Sequence, residues 1–243
     1  PFADASRLVQ VWETDRKSGT TREPASWPDY VDFVARARSL DGSAALMGSE
    51  VTLTPSDGPA VRISGMSVTR EFFPLVGVTP LLGRLFGPEE DRPAGPRVVV
   101  LGEGLWRSGF GADPGIVGRT VRVNDQEYQV IGVVGHGADF GLDQIHARAA
   151  YHAPYSGTGE VGLWTPLQAA EADFPRSTHP FFMLGRLARG VSVADAQQEL
   201  AQVAQELELS YPNSNAACGV HVERFQEVVF GPSRPMMLLL QGA

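Results

Sequence analysis

Histidine and carboxylate side chains are the residues best placed to do chemistry in this 243-residue sequence, and many of them crowd into one stretch. In GHGADFGLDQIHARAAYH, His136 precedes Asp139, Asp143 precedes His146, and His152 closes the run. Imidazole nitrogens beside carboxylate oxygens suit a divalent transition metal or a general acid-base pair. A metal needs three or four donors converging on one point, which linear spacing cannot demonstrate, so these read as solvated loop histidines and no metal is expected. His179 and His221 lie beside strand-like segments and read as edge or surface residues. Glu89, Glu90 and Asp91 imitate acid-base equipment, but directly after Pro88 they read as the negative first turn of a short helix.

Other chemistries lack their signatures. GEGLWRSGFG and GHGADFG are rich in glycine, yet neither has the spacing of a dinucleotide fingerprint nor the Gly-Lys-Ser/Thr ending of a P-loop, so no nucleotide or other cofactor is expected. A Gly-x-Ser-x-Gly elbow is missing, and Cys218, the sole cysteine, has no catalytic setting. One cysteine also allows neither an internal disulfide nor a Cys-based zinc cage. The chain is therefore read as a non-enzyme. Twenty-eight acidic residues against 20 basic ones give a formal charge of −8 with no run of Lys or Arg, so nucleic acid is not an expected partner. A single thiol fits the cytoplasm and an extracytoplasmic domain equally. No basic-then-apolar leader is visible, nor an apolar run of about 20 residues that would span a membrane.

The elements that would carry these residues follow from periodicity. In SWPDYVDFVARARSL, Ser26 is placed to cap a helix, Pro28 and Asp29 suit its first turn, and Tyr30, Phe33, Val34 and Ala37 recur as one apolar stripe. In SVADAQQELAQVAQELELSYP, Ser192 and Asp195 open a capping-box pattern, Val193, Ala196, Leu200, Val203, Leu207 and Tyr211 form the stripe, and Pro212 stops it. Strand-like RLVQVWE and SAALMGSEVTLT flank the first helix, and PFFMLGRL and CGVHVERF the second. The expected fold class is thus α+β: one split domain of two β-α-β units from the two chain ends, with its helices on one face of the sheet. Between them PAVRISGMSVT, RVVVL and GRTVRVNDQEYQVIGVVG predict a mostly β insertion with a hairpin at Asn124-Asp125 and short helices at TREFFPLV and GEGLWRSGF. Residues 135 to 162 read as a long loop, either mobile or functional.

The order SWPDYVDFVARARSLDGSAAL, VTREFFPLVGVTPLLGRLFGPEED, VVVLGEGLWRSGFGADPGIVGRTVRVNDQEYQVIGVV, LWTPL, LGRLARGVSVADAQQELAQVAQEL and GPSRPMMLLLQGA resembles the MacB-type periplasmic core domain of FtsX-like ABC transporter permeases, especially orphan permeases without a fused ATPase. Each motif also has a structural reading. Phe72, Phe73, Leu75 and Val76 make an apolar knot, Gly77 and Gly83 allow reversals where a Cβ would clash, and Asp113-Pro114-Gly115 turns the chain so that Ile116 and Val117 enter a small core. The resemblance implies a porter-like subdomain over residues 1–58 and 180–235 and an inserted, β-rich, sabre-like subdomain over 59–179. The acidic balance and the 135–162 loop depart from the best-known members.

The resemblance further implies a domain between the first and second transmembrane helices of an inner-membrane permease, facing the periplasm. Residues 236–243 then start the second of those helices, with Met236, Met237, Leu238, Leu239 and Leu240 entering lipid. A final core strand or a frayed tail is the other reading of that run. The implied partners are the chain's own transmembrane helices, a cytoplasmic ABC ATPase subunit or domain, a periplasmic adaptor, and a second copy in a homodimer. The implied function is to transmit ATP-driven conformational change and to dock periplasmic partners in efflux or export. The alternative is a substrate- or lipoprotein-binding module of a release-type permease.

Overall fold

The computed structural model describes residues 4–55, 58–138, 142–150 and 160–231. Their elements, in chain order, are a 3-10 turn Ala5–Arg7, β1 Leu8–Asp15, β2 Thr20–Glu23, α1 Trp27–Arg36, β3 Leu40–Thr54, β4 Val61–Val68, α2 Phe72–Val76 and β5 Pro80–Gly83. After these come β6 Val98–Gly102, α3 Glu103–Phe110, a 3-10 turn Pro114–Ile116, β7 Thr120–Val123, β8 Gln126–Val134, α4 Leu142–Arg148, β9 Leu163–Pro166, β10 Phe182–Leu187, α5 Val193–Ser210, β11 Cys218–Arg224 and α6 Phe225–Phe230. The fold is α+β, with a large sheet and few helices, as the alternation of periods predicts.

The two terminal units interlock. Within the sheet β11, β1, β10 and β3 are neighbours in that order, each antiparallel to the next. β1 and β3 therefore run parallel with β10 between them, and β10 and β11 run parallel with β1 between them. This is the split β-α-β arrangement of ferredoxin-like sheets, with everything from β4 to β9 inserted between its second and third strands. The Ser26 hydroxyl caps α1 by accepting from the Asp29 N–H, and Ser192 and Asp195 form a full capping box on α5. Both helices lie on one face, where Tyr30, Phe33, Ala196, Leu200 and Leu207 cover Val9, Val11, Met183, Val220 and Val222. Burying each large apolar side chain there contributes roughly 1.5–3 kcal/mol.

The insertion closes on itself. β3 pairs with β4, β4 with β9, β9 with β6, β6 with β8, β8 with β7, and β7 returns to β3 at Leu53↔Val123. The seam is tightened by Asn124, whose N–H donates to the Thr52 carbonyl and whose Oδ1 accepts from the Thr52 N–H, both at 2.8 Å. Strand alternation points Val51, Leu53, Val99, Leu101, Val121, Val123, Val130 and Leu163 into this six-stranded barrel. The opposite faces of the same strands, through Met66, Val68, Val100, Ile131, Val134 and Trp164, join Leu8, Trp12, Leu46, Phe182 and Leu184 in a central core closed by α2, α4 and α6. β3 serves both halves: Leu40 to Leu46 pair with β10, and Leu46 to Leu53 pair with β4. At Gly83, φ is +67° and a Cβ would sit 2.1 Å from the Ile131 carbonyl oxygen, so the reversal there demands glycine.

Several expectations fail locally. Val34 is 40% exposed and Val117 is 39% exposed, because the buried side of α1 runs through Tyr30 and Phe33 and the chain turns outward after Ile116, the residue of that turn that enters the barrel core. Tyr211 is also largely exposed. Glu89, Glu90 and Asp91 start no helix; they lie in turns, where Asp91 accepts from the Arg70 N–H (2.7 Å) and the Gln168 N–H (3.1 Å). Part of the 135–162 stretch is helix α4, whose Leu142 and Ile145 are buried in the central core. Met236 to Leu240 lie outside the described residues.

Candidate functional site

The histidine run does not assemble into a site. His136 is exposed beside Glu160 (3.1 Å) and Glu103 (3.7 Å). His146 is buried, its Nδ1 2.8 Å from the Leu142 carbonyl oxygen and its ring 4.5 Å from that of Phe182, so it belongs to the core and not to solvent. Asp139, His152 and the side chain of Asp143 lie outside the described residues. His221 faces Glu223 at 4.0 Å on the partly exposed side of β11.

A different set converges. β1 carries Val9, Val11 and then Glu13 toward the helix-covered face, so the strand's inward register ends on a carboxylate that is 4% exposed. The first turn of α1 sets Asp29 against it, the segment ahead of β10 supplies Arg176 and His179, and the turn before β11 supplies Asn215. Asp29, 1% exposed, accepts from the Ser26 hydroxyl (2.6 Å), from Asn215 Nδ2 (2.8 Å) and from Arg176. Arg176 reaches Asp32 (2.8 Å) as well and lies 3.9 Å over the Tyr211 ring, which accounts for that exposed aromatic. His179 Nε2 is 2.9 Å from the Arg176 carbonyl oxygen and 3.8 Å from Glu13 Oε2.

The electrostatics of this cluster are one-sided. Burial, and after it the negative charge of Asp29, holds the Glu13 carboxyl well above the usual carboxylate range. Burial, and after it the negative charges of Glu13 and Asp29, pushes the half-buried Cys218 thiol up to about 12. Cys218 is thus a poor nucleophile here, in keeping with its lack of a catalytic motif. One donor atom each from Glu13, Asp29 and His179 lie within 4.8 Å of one another, the arrangement among the described residues that could hold a metal ion. A cavity of about 490 Å³ lined by Asp15, Lys17, Glu23, His179, Ser214 and Cys218 opens beside them. The sequence places His179 as an edge or surface residue and Asp29 as a helix-dipole partner. The available signal was a glutamate in phase with Val9 and Val11.

Two other concavities lie elsewhere on the surface. An apolar pocket of about 430 Å³ at the barrel mouth is lined by Leu53, Pro59, Leu105, Phe110 and Ile116, with Arg119 at its edge. Where the β3 and β10 strands meet α2, the surface is an open depression of about 370 Å³ with Asp41, Arg70, Glu71 and Arg186 around Pro74, Leu75 and Phe86. No helix among the described residues is long and apolar enough to cross a membrane.

A family model described as MacB-like periplasmic core domain matches residues 1–203. Among solved structures, the periplasmic region of MacB from Actinobacillus actinomycetemcomitans aligns with a TM-score of 0.63 at 13% identity, covering 94% of each chain. A domain of a permease protein from Porphyromonas gingivalis aligns at 0.66 and 12%, covering 92% of this chain and 93% of that one. The extracellular domain of the noncanonic ABC-type transporter YknZ from Gram-positive bacteria aligns at 0.60 and 12%, covering 88% and 99%. At such identities these likenesses establish the fold. No curated protein matches the chain.

Proposed function

We propose a mechanical role for this chain, which belongs to the MacB-like periplasmic core domain family and is thus the extracytoplasmic portion of an ABC transporter permease. In this reading it carries ATP-driven movement of the membrane helices outward as a rigid body, and it offers a surface to periplasmic partners in efflux or export. The ATPase subunit, the adaptor, the second copy and the inner membrane belong to the same proposal. Residues 1–58 and 180–235 act as the porter-like base and 59–179 as the sabre-like arm.

The observation that carries this reading is the continuity of β3. Its 15 residues run from the ferredoxin-like half into the barrel, hydrogen-bonded on both sides of the passage, so a displacement at one end is delivered to the other without a hinge. The central core, shared by strands of both halves, adds resistance to bending. The chain ends support the tether: Val9 at the start of β1 pairs with Arg224 at the end of β11, and the Arg224 guanidinium donates to the Ser6 carbonyl at 3.1 Å. Both ends of the described chain therefore meet at one place, as two membrane helices attached there require. Met236 to Leu240 remain proposed as the entry into lipid.

Spin-label distances in the full-length permease test the proposal, with Cys218→Ser as background. Labels at Glu127 on the two copies should change separation on ATP binding. Labels at Gln202 and Glu127 of one copy, paired with an unlabelled copy, should keep theirs. A constant separation between copies removes transmission, and a changing distance within one copy removes the rigid body.

A further inference from the structure

We propose that Glu13, Asp29 and His179 form a binding site for one divalent transition metal of the zinc class. The inference is independent of the transport role. Two donors bound tetrahedrally to zinc at about 2.0–2.1 Å are roughly 3.4 Å apart. His179 Nε2 and Glu13 Oε2 stand at 3.8 Å, and the donor atoms of all three residues fall within 4.8 Å. Small side-chain rotations bring them into coordination range, provided the imidazole leaves the Arg176 carbonyl.

Charge and access point the same way. Among the described residues no Lys or Arg nitrogen lies within the 4.0 Å ion-pair range of Glu13, and Arg176, the cation on Asp29, is shared with Asp32. The partners of Glu13, 4% exposed, are instead the Ser26 N–H at 3.4 Å and the neighbouring carboxyl of Asp29. Asp29 Oδ2 accepts the Ser26 hydroxyl, and a hydrogen bond joins the Asp29 and Glu13 carboxyls, so a metal would take the place of the proton held between them. Of the three ligands His179 lines the neighbouring cavity, together with Lys17, Glu23 and Cys218, which gives an ion a route to that imidazole and room for a water beside it. Two hard oxygens and one imidazole suit zinc and its first-row neighbours, while the imidazole selects against calcium and magnesium. Bound there, the ion would pin β1, the start of α1 and the lead into β10 to one another.

The test is calorimetric titration of the untagged, metal-stripped chain with zinc chloride, with X-ray absorption on the loaded chain. One zinc per chain is expected, with nitrogen and oxygen ligands, no sulfur, a raised melting temperature and no displacement by excess calcium. E13Q and H179Q, each checked for native circular dichroism, should weaken binding roughly 10- to 100-fold or more. C218S should leave it unchanged. If E13Q fails to fold, H179Q alone decides the matter. Absence of stoichiometric zinc, equal affinity in the folded variants, loss of binding in C218S, or sulfur ligation would each overturn the site.

Discussion

Glu13 is buried and Glu223 half-buried on neighbouring strands, and their surroundings drive the two carboxylates in opposite directions. Glu223 receives two hydrogen bonds from Arg22 at 2.8 Å, one from Trp12 Nε1 at 2.9 Å, and a longer contact from Arg148 at 3.4 Å. Burial works against its ionisation, but the hydrogen bonds and charge of Arg22 outweigh it, and its pKa is lowered. A depressed folded pKa contributes stability above the unfolded value, 4.5 for Glu, and that contribution is lost as pH falls through the folded one. Glu223→Gln should therefore cost about 1–2 kcal/mol at neutral pH, held to the low side because Arg22 is partly solvated. The deficit should shrink as denaturant midpoints are measured at pH values falling below 4.5, and a deficit independent of pH would assign the loss to packing. None of this was legible in the chain: Arg22 and Glu223 are 201 residues apart, and only pairing of β1 with both β2 and β11 joins them. Glu13 is different, because its inward phase after Val9 and Val11 can be read from the strand alone.

Among the elements, those with local signals are the ones sequence reading placed. Ser26, Ser192 and Asp195 cap their helices because a hydroxyl or carboxylate three residues from the N–H it satisfies needs no tertiary help. The hairpin at Asn124-Asp125 has the same local origin, with φ of 48° and 64° at two residues that tolerate the left-handed region. Asn124 also does something no local rule contains, since its side chain bonds β3 across the barrel seam. Asn124→Gly keeps the turn geometry while removing that bond, and should cost about 1 kcal/mol with hydrogen-exchange protection falling at Thr52. Unchanged protection there would show that the seam holds without it. α4 escaped notice because seven residues are too few to display a period, and its burial of Leu142 and Ile145 depends on the face offered by β10 and α6.

Across the whole molecule the ferredoxin-like half and the barrel share β3 and one central core, so neither can lose its structure without exposing the other's apolar surface. Thermal unfolding should therefore be a single transition whose calorimetric and van't Hoff enthalpies agree; two resolved transitions would show that the arm melts apart from the base. The sequence by itself determined the α+β class, the pair of β-α-β units, the capped helices, the hairpin and the family, because all of these rest on periodicity, on caps a few residues wide, and on the order of motifs. Tertiary structure alone decided the interlocked strand order, the barrel closure through Leu53 and Val123, the burial of His146, and the meeting of Glu13, Asp29 and His179. These are contacts between residues far apart in the chain, and their free energy comes from surfaces that exist only after the strands have paired.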